Sequence, residues 1–125
     1  MRPAADDVMQ ILDAETSLIP GDNLFVGFEP DTPNNVIVIY DTGGGPTDFV
    51  GYRQPTVQVR SRNSNYVDGW DKINEVVQVL NGIGSRIVNG TYHSTWWLQS
   101  DISFLQRDDK DRATFVANLR GHRSE

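Results

Sequence analysis

The sequence contains no cysteine among its 125 residues. A disulfide, a thiol nucleophile and a zinc–thiolate site are therefore excluded. Histidine is also scarce, because His93 and His122 are the only two and lie far apart in the chain. This spacing disfavours a histidine-rich metal site. We expect the protein to need no metal and no cofactor.

Long hydrophobic runs are missing as well. No stretch approaches the roughly 20 apolar residues that a membrane-spanning helix requires. The N-terminal segment Met1–Asp7 carries acidic residues and lacks the apolar run of a signal peptide. We therefore expect a soluble protein that has no membrane partner and is made in the cytoplasm.

Basic residues are outnumbered by acidic ones, and the formal net charge is -6. Phosphate binding depends on clustered Lys and Arg, so a general nucleic-acid binder is disfavoured, although a local basic patch is not. The length and the hydrophobic fraction of 38% are those of an ordinary globular domain. We expect a single domain over 1–125, with a polar C-terminal tail from about residue 121 that includes His122.

The hydrophobic periodicity predicts the element order α-β-β-β-α-β-β-β. The helices are predicted over roughly 3–15 and 65–81, and the strands at Leu24–Phe28, Val36–Tyr40, Pro55–Arg62, Thr91–Gln99, Ile102–Arg107 and Arg112–Arg120. Strands grouped on both sides of one long helix indicate the α+β class, with two helices packed on a mainly antiparallel sheet.

The second predicted helix carries its apolar side chains on one stripe. The stripe consists of Tyr66, Trp70, Ile73, Val77 and Leu80. Asn63, Ser64 or Asn65 can cap the start of this helix, and Gly82 can end it in the left-handed conformation. A glycine inside a helix is unfavourable, so Gly69 suggests close packing at that position.

The triplet Asp41-Thr42-Gly43 has two interpretations. In retroviral-type aspartic proteases such a triplet follows an apolar strand and supplies half of a carboxylate dyad. Against a protease, Gly44 and Gly45 interrupt the strand that normally continues the motif, and the helix at 65–81 replaces sheet. The later apolar-Gly-Arg signature is also absent. We therefore favour a flexible loop that reaches to about Tyr52.

The acidic run Asp108-Asp109-Lys110-Asp111 invites a cation-binding interpretation. An EF-hand loop requires a glycine at its sixth position and a glutamate at its twelfth, where this chain has Ala113 and Leu119. We therefore interpret the segment around 106–111 as a polar hairpin turn.

Three arginines follow the glycine-rich segment, and no acidic residue lies between Gly51 and Tyr66. Arg60 and Arg62 share one face of a predicted strand, and Arg53 precedes it. Three interpretations stay open for these residues: a solvated sheet face, ion pairs between subunits, or a basic rim near DNA.

Two adjacent tryptophans lie in a predicted strand, where neighbouring side chains point to opposite faces. If Trp96 or Trp97 enters the core, the other faces solvent, a helix or a partner, and aromatic residues are favoured at protein interfaces. We interpret His93, in the same strand, as a packed or interface histidine rather than a catalyst.

Several stretches together resemble the phage tail-terminator proteins, including those often labelled minor capsid proteins in siphophage genomes. The resemblance runs from about residue 5 to residue 120. It is carried by Val36-Ile-Val-Ile-Tyr-Asp-Thr-Gly-Gly, Tyr52-Arg-Gln-Pro-Thr-Val-Gln-Val-Arg-Ser-Arg with the helix containing Tyr66, Tyr92-His-Ser, and the 101–118 region with Arg107-Asp108, Arg112 and Phe115. Gln106 departs from the pattern, because a glycine is expected before the Arg-Asp pair.

The resemblance implies a non-enzymatic virion protein that forms a ring, typically a hexamer. Such a ring caps the head-proximal end of the tail tube, stops tube polymerisation and joins the head. The implied partners are further copies of the chain, the tail tube protein and a head-completion or connector protein, with DNA only passing through the channel. Candidate interface residues are Arg53, Arg60, Arg62, Trp96, Trp97, Arg107, Asp108 and Arg112. Another head–tail connection or completion ring protein is the alternative.

Overall fold

The computed structural model describes residues 1–47 and 51–124. These described residues form two helices and seven strands. Their bounds are α1 (Ala4–Glu15), β1 (Leu24–Val26), β2 (Val36–Gly44), β3 (Tyr52–Arg53), β4 (Pro55–Asn63), α2 (Tyr66–Leu80), β5 (Arg86–Val88), β6 (Thr91–Arg107) and β7 (Ala113–Ser124). No helix in these described ranges is long and apolar enough to cross a membrane.

The strands form one sheet in the order β1-β2-β4-β7-β6-β5, and β3 pairs with β7. Only the β1–β2 pair is parallel among the described pairings; the other neighbours are antiparallel. The predicted α+β class and the mainly antiparallel sheet are therefore confirmed. The short strands β1 and β5 form the two edges of the sheet.

Both helices pack on the same face of the sheet. The alternating residues Val57 and Val59 of β4 and Phe115, Ala117 and Leu119 of β7 are buried against them. Trp96 of β6 completes this core at 0% exposure, and burial of so large a ring contributes much of the hydrophobic stabilisation.

The predicted glycine loop after Tyr40 is wrong at its start, because β2 continues to Gly44. The strand bends at an irregularity between Asp41 and Gly43 and stays paired with β4. Gly44 has φ +112°, and a Cβ there would lie 2.3 Å from the carbonyl oxygen of Gln54. The glycine thus permits a close strand approach rather than a free loop. Within the predicted loop from Thr42 to Tyr52, residues 48–50 lie outside the described residues.

The second helix begins and ends where its caps predict. The Asn65 side chain accepts a hydrogen bond from the backbone N–H of Asp68, and Gly82 follows the helix with φ +76°. Gly69 packs closely as expected, since a Cβ there would lie 3.0 Å from Cβ of Asn63.

The predicted apolar stripe of this helix is wrong at its N-terminal end. Tyr66 is 46% exposed and Trp70 is 38% exposed, whereas the buried residues are Gly69, Ile73, Val76, Val77 and Leu80. Gly69 lets the helix approach the sheet closely. The rings of Tyr66 and Trp70 therefore lie beside the ring of Phe115, at the edge of the helix–sheet contact, and not between the helix and the sheet.

Two further boundaries differ from the sequence prediction. The strands predicted at Thr91–Gln99 and Ile102–Arg107 are one strand of 17 residues, β6, whose irregularities absorb the break in alternation. The predicted polar tail from residue 121 is instead the end of β7, which pairs with β3 and β6. Its polar residues stay in the strand because Arg123 is buried in a charged network.

Gly121 supports Trp96, and this contact generates a stability prediction. A Cβ at Gly121 would lie 2.5 Å from the indole ring. We expect Gly121→Ala to lower the free energy of unfolding by about 1–3 kcal/mol, because overpacking forces a buried ring to move. Gly84→Ala is the matched control, since nothing lies within 4 Å of its Cβ position. Urea titration measures both, and equal stability of the two variants would contradict the packing described.

Candidate interaction surfaces

The sheet face opposite the helices is covered by neither α1 nor α2. We call this surface the open sheet face and define it by residues that alternate with the buried core residues and are all half-buried. They are Thr56, Gln58 and Arg60 of β4, Trp97 of β6, and Val116, Asn118, Arg120 and His122 of β7. The mixture of cationic, polar and aromatic groups is typical of a protein-contact surface.

The two tryptophans lie on opposite faces, as the strand periodicity predicts. Trp96 is in the core and donates from Nε1 to His93 Nδ1 at 3.1 Å. Trp97 lies on the open sheet face, where its strand position pairs with Arg120. Of the two, Trp97 is the one available to a partner.

Arg60 and Arg62 lie on the same side of β4, but their surroundings differ. Arg60 is half-buried and forms no ion pair with any carboxylate in the described part of the chain. Arg62 is 2% exposed, and its Nη2 donates to the carbonyl oxygen of Pro33 at 2.7 Å. Its Nε donates to the carbonyl oxygen of Asn34 at 3.2 Å. Arg62 therefore makes these hydrogen bonds within its own chain.

Arg112, which directly precedes the neighbouring strand β7, binds the same segment. Its Nη1 donates to the carbonyl oxygen of Asp31 at 2.7 Å, and its Nε donates to Asp108 Oδ2 at 2.7 Å. Arg62 and Arg112 thus fix residues 29–35 against the end of the sheet with charge-assisted hydrogen bonds. We call this arrangement the arginine clamp.

Asp108 belongs to the clamp and to the turn that precedes β7. Burial opposes ionisation of Asp108, but hydrogen bonds from Arg112 and Lys110 outweigh it and hold the pKa of Asp108 below its ordinary value. The predicted polar turn at the acidic run is confirmed, since Asp108 accepts from the backbone N–H groups of Lys110 and Arg112. Arg107 is exposed beside this turn and contacts Asp111 at 3.7 Å.

A buried charged network joins the two ends of the chain. Asp7 is fully buried; its Oδ2 lies 2.9 Å from His93 Nε2 and 3.0 Å from Arg123 Nη1. Its Oδ1 accepts from the Asn89 side-chain amide at 2.9 Å. The carboxylate therefore ties α1 to β7 and to the β5–β6 hairpin.

The partners of His93 determine its tautomer. The indole N–H of Trp96 can only donate, so Nδ1 of His93 accepts and carries no proton. The Nε2–H then donates to Asp7. Burial lowers the pKa of His93, although the Asp7 carboxylate opposes this effect. The interpretation of His93 as a packed histidine is confirmed.

Asp41 lies in β2, and its carboxylate reaches the start of α1. Its Oδ1 accepts a hydrogen bond from the backbone N–H of Ala5 at 2.9 Å. Pro3, which directly precedes α1, provides no side-chain cap. Asp41 therefore accepts from one of the free backbone N–H groups at the start of the helix, and it places negative charge at the positive end of the helix dipole. The aspartate of the triplet thus has a structural partner within the chain.

No group of three or more His, Asp or Glu side chains suited to a metal ion occurs in the described ranges.

Arg53 is half-buried in β3, where it pairs with Arg123 in the strand register. Of the other predicted interface residues, Arg60 and Trp97 lie on the open sheet face and Trp96 lies in the core. Arg62, Asp108 and Arg112 form the clamp, and Arg107 is exposed beside it.

Sequence reasoning missed the Asp7–Arg123 pair and the part played by Asp31. Asp7 carries a signal that was available, because it lies four residues before Ile11 on the buried side of α1. Arg123 has none that is local, since its burial depends on the strand continuing beyond residue 121. Asp31 lies in a turn whose position only the folded clamp determines.

The sequence matches the family model described as "Bacteriophage tail terminator protein" over residues 4–123. The chain belongs to the bacteriophage tail terminator family. This family is a class of structural tail proteins and not a class of enzymes, so the protein is a structural component of a phage tail and of the virion. The resemblance drawn from the sequence is thereby confirmed.

Two solved structures share the fold of this tail terminator. A chain from the virion of a native gene transfer agent particle is 14% identical, with a TM-score of 0.68, and the match covers 97% of this chain and 94% of that chain. A second solved chain is 13% identical, with a TM-score of 0.58, and the match covers 98% of this chain and 92% of that chain. No curated protein matches the terminator in sequence.

The arginine clamp should be an important source of stability. We expect Arg112→Ala to cost on the order of 1.5–3 kcal/mol, because it removes hydrogen bonds from a buried cation to Asp108 and to the 29–35 segment. Arg107→Ala is the matched control and should cost less than about 1 kcal/mol, since that ion pair is exposed. Urea denaturation compares them. Equal losses would show that the clamp contributes no more than a surface pair.

The neutral state of His93 makes stability depend on pH. Because the pKa of His93 is lowered in the folded state, the unfolded chain binds the proton more tightly. The free energy of unfolding should be highest at pH values above 6.5, the ordinary pKa of a histidine side chain. It should fall as the pH drops below that value. One proton limits the slope to about 1.4 kcal/mol per pH unit.

Urea titrations between pH 7.5 and 5 test this dependence. Asp31 and Asp108 should contribute little in that window, since their folded pKa values lie below 3.8. The variant His93→Gln removes the titrating group, so its stability should vary less with pH than that of the wild type. The same pH dependence in both proteins would mean that His93 is not the group responsible.

Proposed function

We propose that this tail terminator forms a ring, most simply a hexamer, at the head-proximal end of the phage tail tube. The ring stops polymerisation of the tube and presents the surface to which the head is joined. The match to the family over residues 4–123 carries this proposal, because it includes nearly the whole domain and therefore both of its faces. The gene transfer agent virion chain with the same fold is consistent with a place in a particle.

The mechanism is assembly, in which no covalent bond is made or broken. Rings require each subunit to present two different surfaces that bind one another with a rotation that closes. The open sheet face supplies one such surface, since Arg60 and Trp97 are available there. Arg62, Asp108 and Arg112 act on the shape of the 29–35 segment, and Arg53 and Arg107 are further candidates for contact.

The proposed partners are other copies of the chain, the tail tube protein and a head-completion or connector protein. DNA passes through the channel of the ring and is not held by it. A chain with net charge -6 suits this arrangement, because a strongly basic channel would retain the phosphate backbone.

A polymerisation assay with the cognate tail tube protein tests the proposal. Adding the terminator should stop tube growth at an amount set by the number of tube ends, far below the amount of tube protein. Electron microscopy of the products measures tube length, and an antibody to the terminator should label one end only. Gold labelling of intact tails should place that end at the head.

Two results would contradict this function. Inhibition that requires one terminator per tube subunit would indicate binding of free tube protein instead of capping. Phage lacking the protein should make overlong tails; tails of normal length that fail to join heads would indicate the alternative, a head–tail connection protein.

A further inference from the structure

Arg60 and Arg120 form no ion pair with any carboxylate among the described residues. The arginines that form ion pairs with described carboxylates are Arg2, Arg62, Arg86, Arg107, Arg112 and Arg123. Arg120 contacts neutral groups, the carbonyl oxygen of Gln54 at 3.5 Å and the side-chain amide of Gln99. Both unpaired arginines lie on the open sheet face.

These two arginines produce a positive surface on an acidic protein. They are separated on the face by the side-chain pair Gln58–Asn118, and Trp97 lies next to Arg120 in the strand register. No Asp or Glu occupies an outward position of β4 or β7, both of which the structure describes in full. The face is therefore complementary to a surface that combines carboxylates with aromatic groups.

The opposite side of the molecule provides such a surface. Around the start of α2, the apolar side chains Tyr66, Val67, Trp70 and Phe104 are exposed, and Val67 is 61% exposed. Tyr66 packs edge-on against Phe104 with ring centroids 5.3 Å apart, so these two rings form one apolar surface. Exposed apolar groups gathered in this way mark contact sites.

Two carboxylates adjoin these apolar groups. Asp68 and Asp71 are exposed on the first turns of α2, and neither forms an ion pair with a described residue. We call the four apolar side chains together with these two aspartates the α2 patch. The patch lies on the helix side of the sheet, opposite the open sheet face.

The acidic residues of α1 provide a weaker match. Asp6 pairs with Arg2, Asp7 is buried, and Glu15 pairs with Arg86. Asp13 is exposed, but the neighbouring part of α1 has no comparable group of exposed aromatic side chains in the described structure. The α2 patch is therefore the better acceptor for the open sheet face.

We propose that the open sheet face of one copy binds the α2 patch of the next copy. Arg60 and Arg120 pair with Asp68 and Asp71 of the neighbour, and Trp97 packs on its exposed aromatic side chains. Partial desolvation and bidentate geometry strengthen arginine–carboxylate pairs in such a contact. This inference rests on the proposed ring and identifies the two surfaces that form it.

The positions of the two surfaces determine the kind of assembly. Because they lie on opposite sides of the sheet, a copy that uses its open sheet face still has its α2 patch free. The contact is therefore heterologous, and copies add head to tail until the rotation closes the ring. A pair of copies joined by one such contact leaves one surface of each type unused, so further copies can add.

Charge reversal followed by mixing tests the pairing. Arg60→Glu/Arg120→Glu makes the sheet face acidic, and Asp68→Lys/Asp71→Lys makes the patch basic. Each variant alone should assemble about tenfold or more weakly than the wild type in sedimentation velocity, because like charges then meet at every contact. An equimolar mixture should assemble again, since each altered surface meets its complement. The mixed rings should alternate, so native mass spectrometry should find equal numbers of the two variants.

The controls carry the same charge changes elsewhere. Arg2→Glu/Arg86→Glu and Asp13→Lys/Asp22→Lys alter surface residues outside both contact surfaces and should assemble like the wild type. Circular dichroism and thermal melting establish that each variant is folded. If a double variant unfolds, Arg60→Glu and Asp71→Lys replace it in the same mixing scheme.

Three outcomes would overturn the inference. Normal rings from either charge-reversed variant would exclude the contact, and so would a mixture that fails to assemble. Normal rings with altered DNA retention in particles would assign Arg60 and Arg120 to the channel. In each of these cases the wild-type ring stands; a wild type that forms no ring, alone or on tubes, would overturn the proposed function as well.

Discussion

The buried carboxylate of Asp7 is the interaction on which the arrangement of the chain ends depends. A buried charge is costly unless it is paired and hydrogen-bonded, and Asp7 meets this condition only when three distant segments converge. Arg123 comes from the last strand, His93 from β6, and Asn89 from the turn between β5 and β6. The docked position of the first helix therefore depends on the end of β7.

This dependence makes the domain cooperative from end to end. Arg123 also donates to the backbone carbonyl oxygen of Arg2, so the two termini share the same cation. Trp96 packs over Gly121 and bonds to His93. Loosening of the last strand would thus release both the largest core side chain and the first helix.

The sequence predicts much of the fold because its periodicities are strong. β4 and β7 alternate cleanly, and α2 has clear caps at Asn65 and Gly82. What could not be predicted depends on contacts between distant residues. The continuation of β2 through Gly44 depends on the close approach of Gln54, and the continuation of β7 depends on Asp7 receiving Arg123.

For the candidate surfaces too, strand periodicity predicts some features, whereas contacts between distant residues determine the others. Strand alternation predicts that Trp96 and Trp97 separate, and they do. It also places Arg60 and Arg62 on one side of β4, but it cannot show that backbone carbonyl groups from residues 31–34 surround Arg62. Carbonyl groups have no signature in the sequence, so an arginine bound by them and an arginine open to a partner look alike.

The two short edge strands affect how readily the free protein can pair its sheet with a strand of another molecule. β1 and β5 are each only three residues long, so each offers few backbone groups to a strand from another molecule. Short edges of this kind suppress the lateral growth of sheets into fibres. Strand pairing with another molecule is therefore disfavoured at β1 and β5, whereas the side of β6 that faces β5 continues from Ser94 to Arg107 without a paired strand among the described residues.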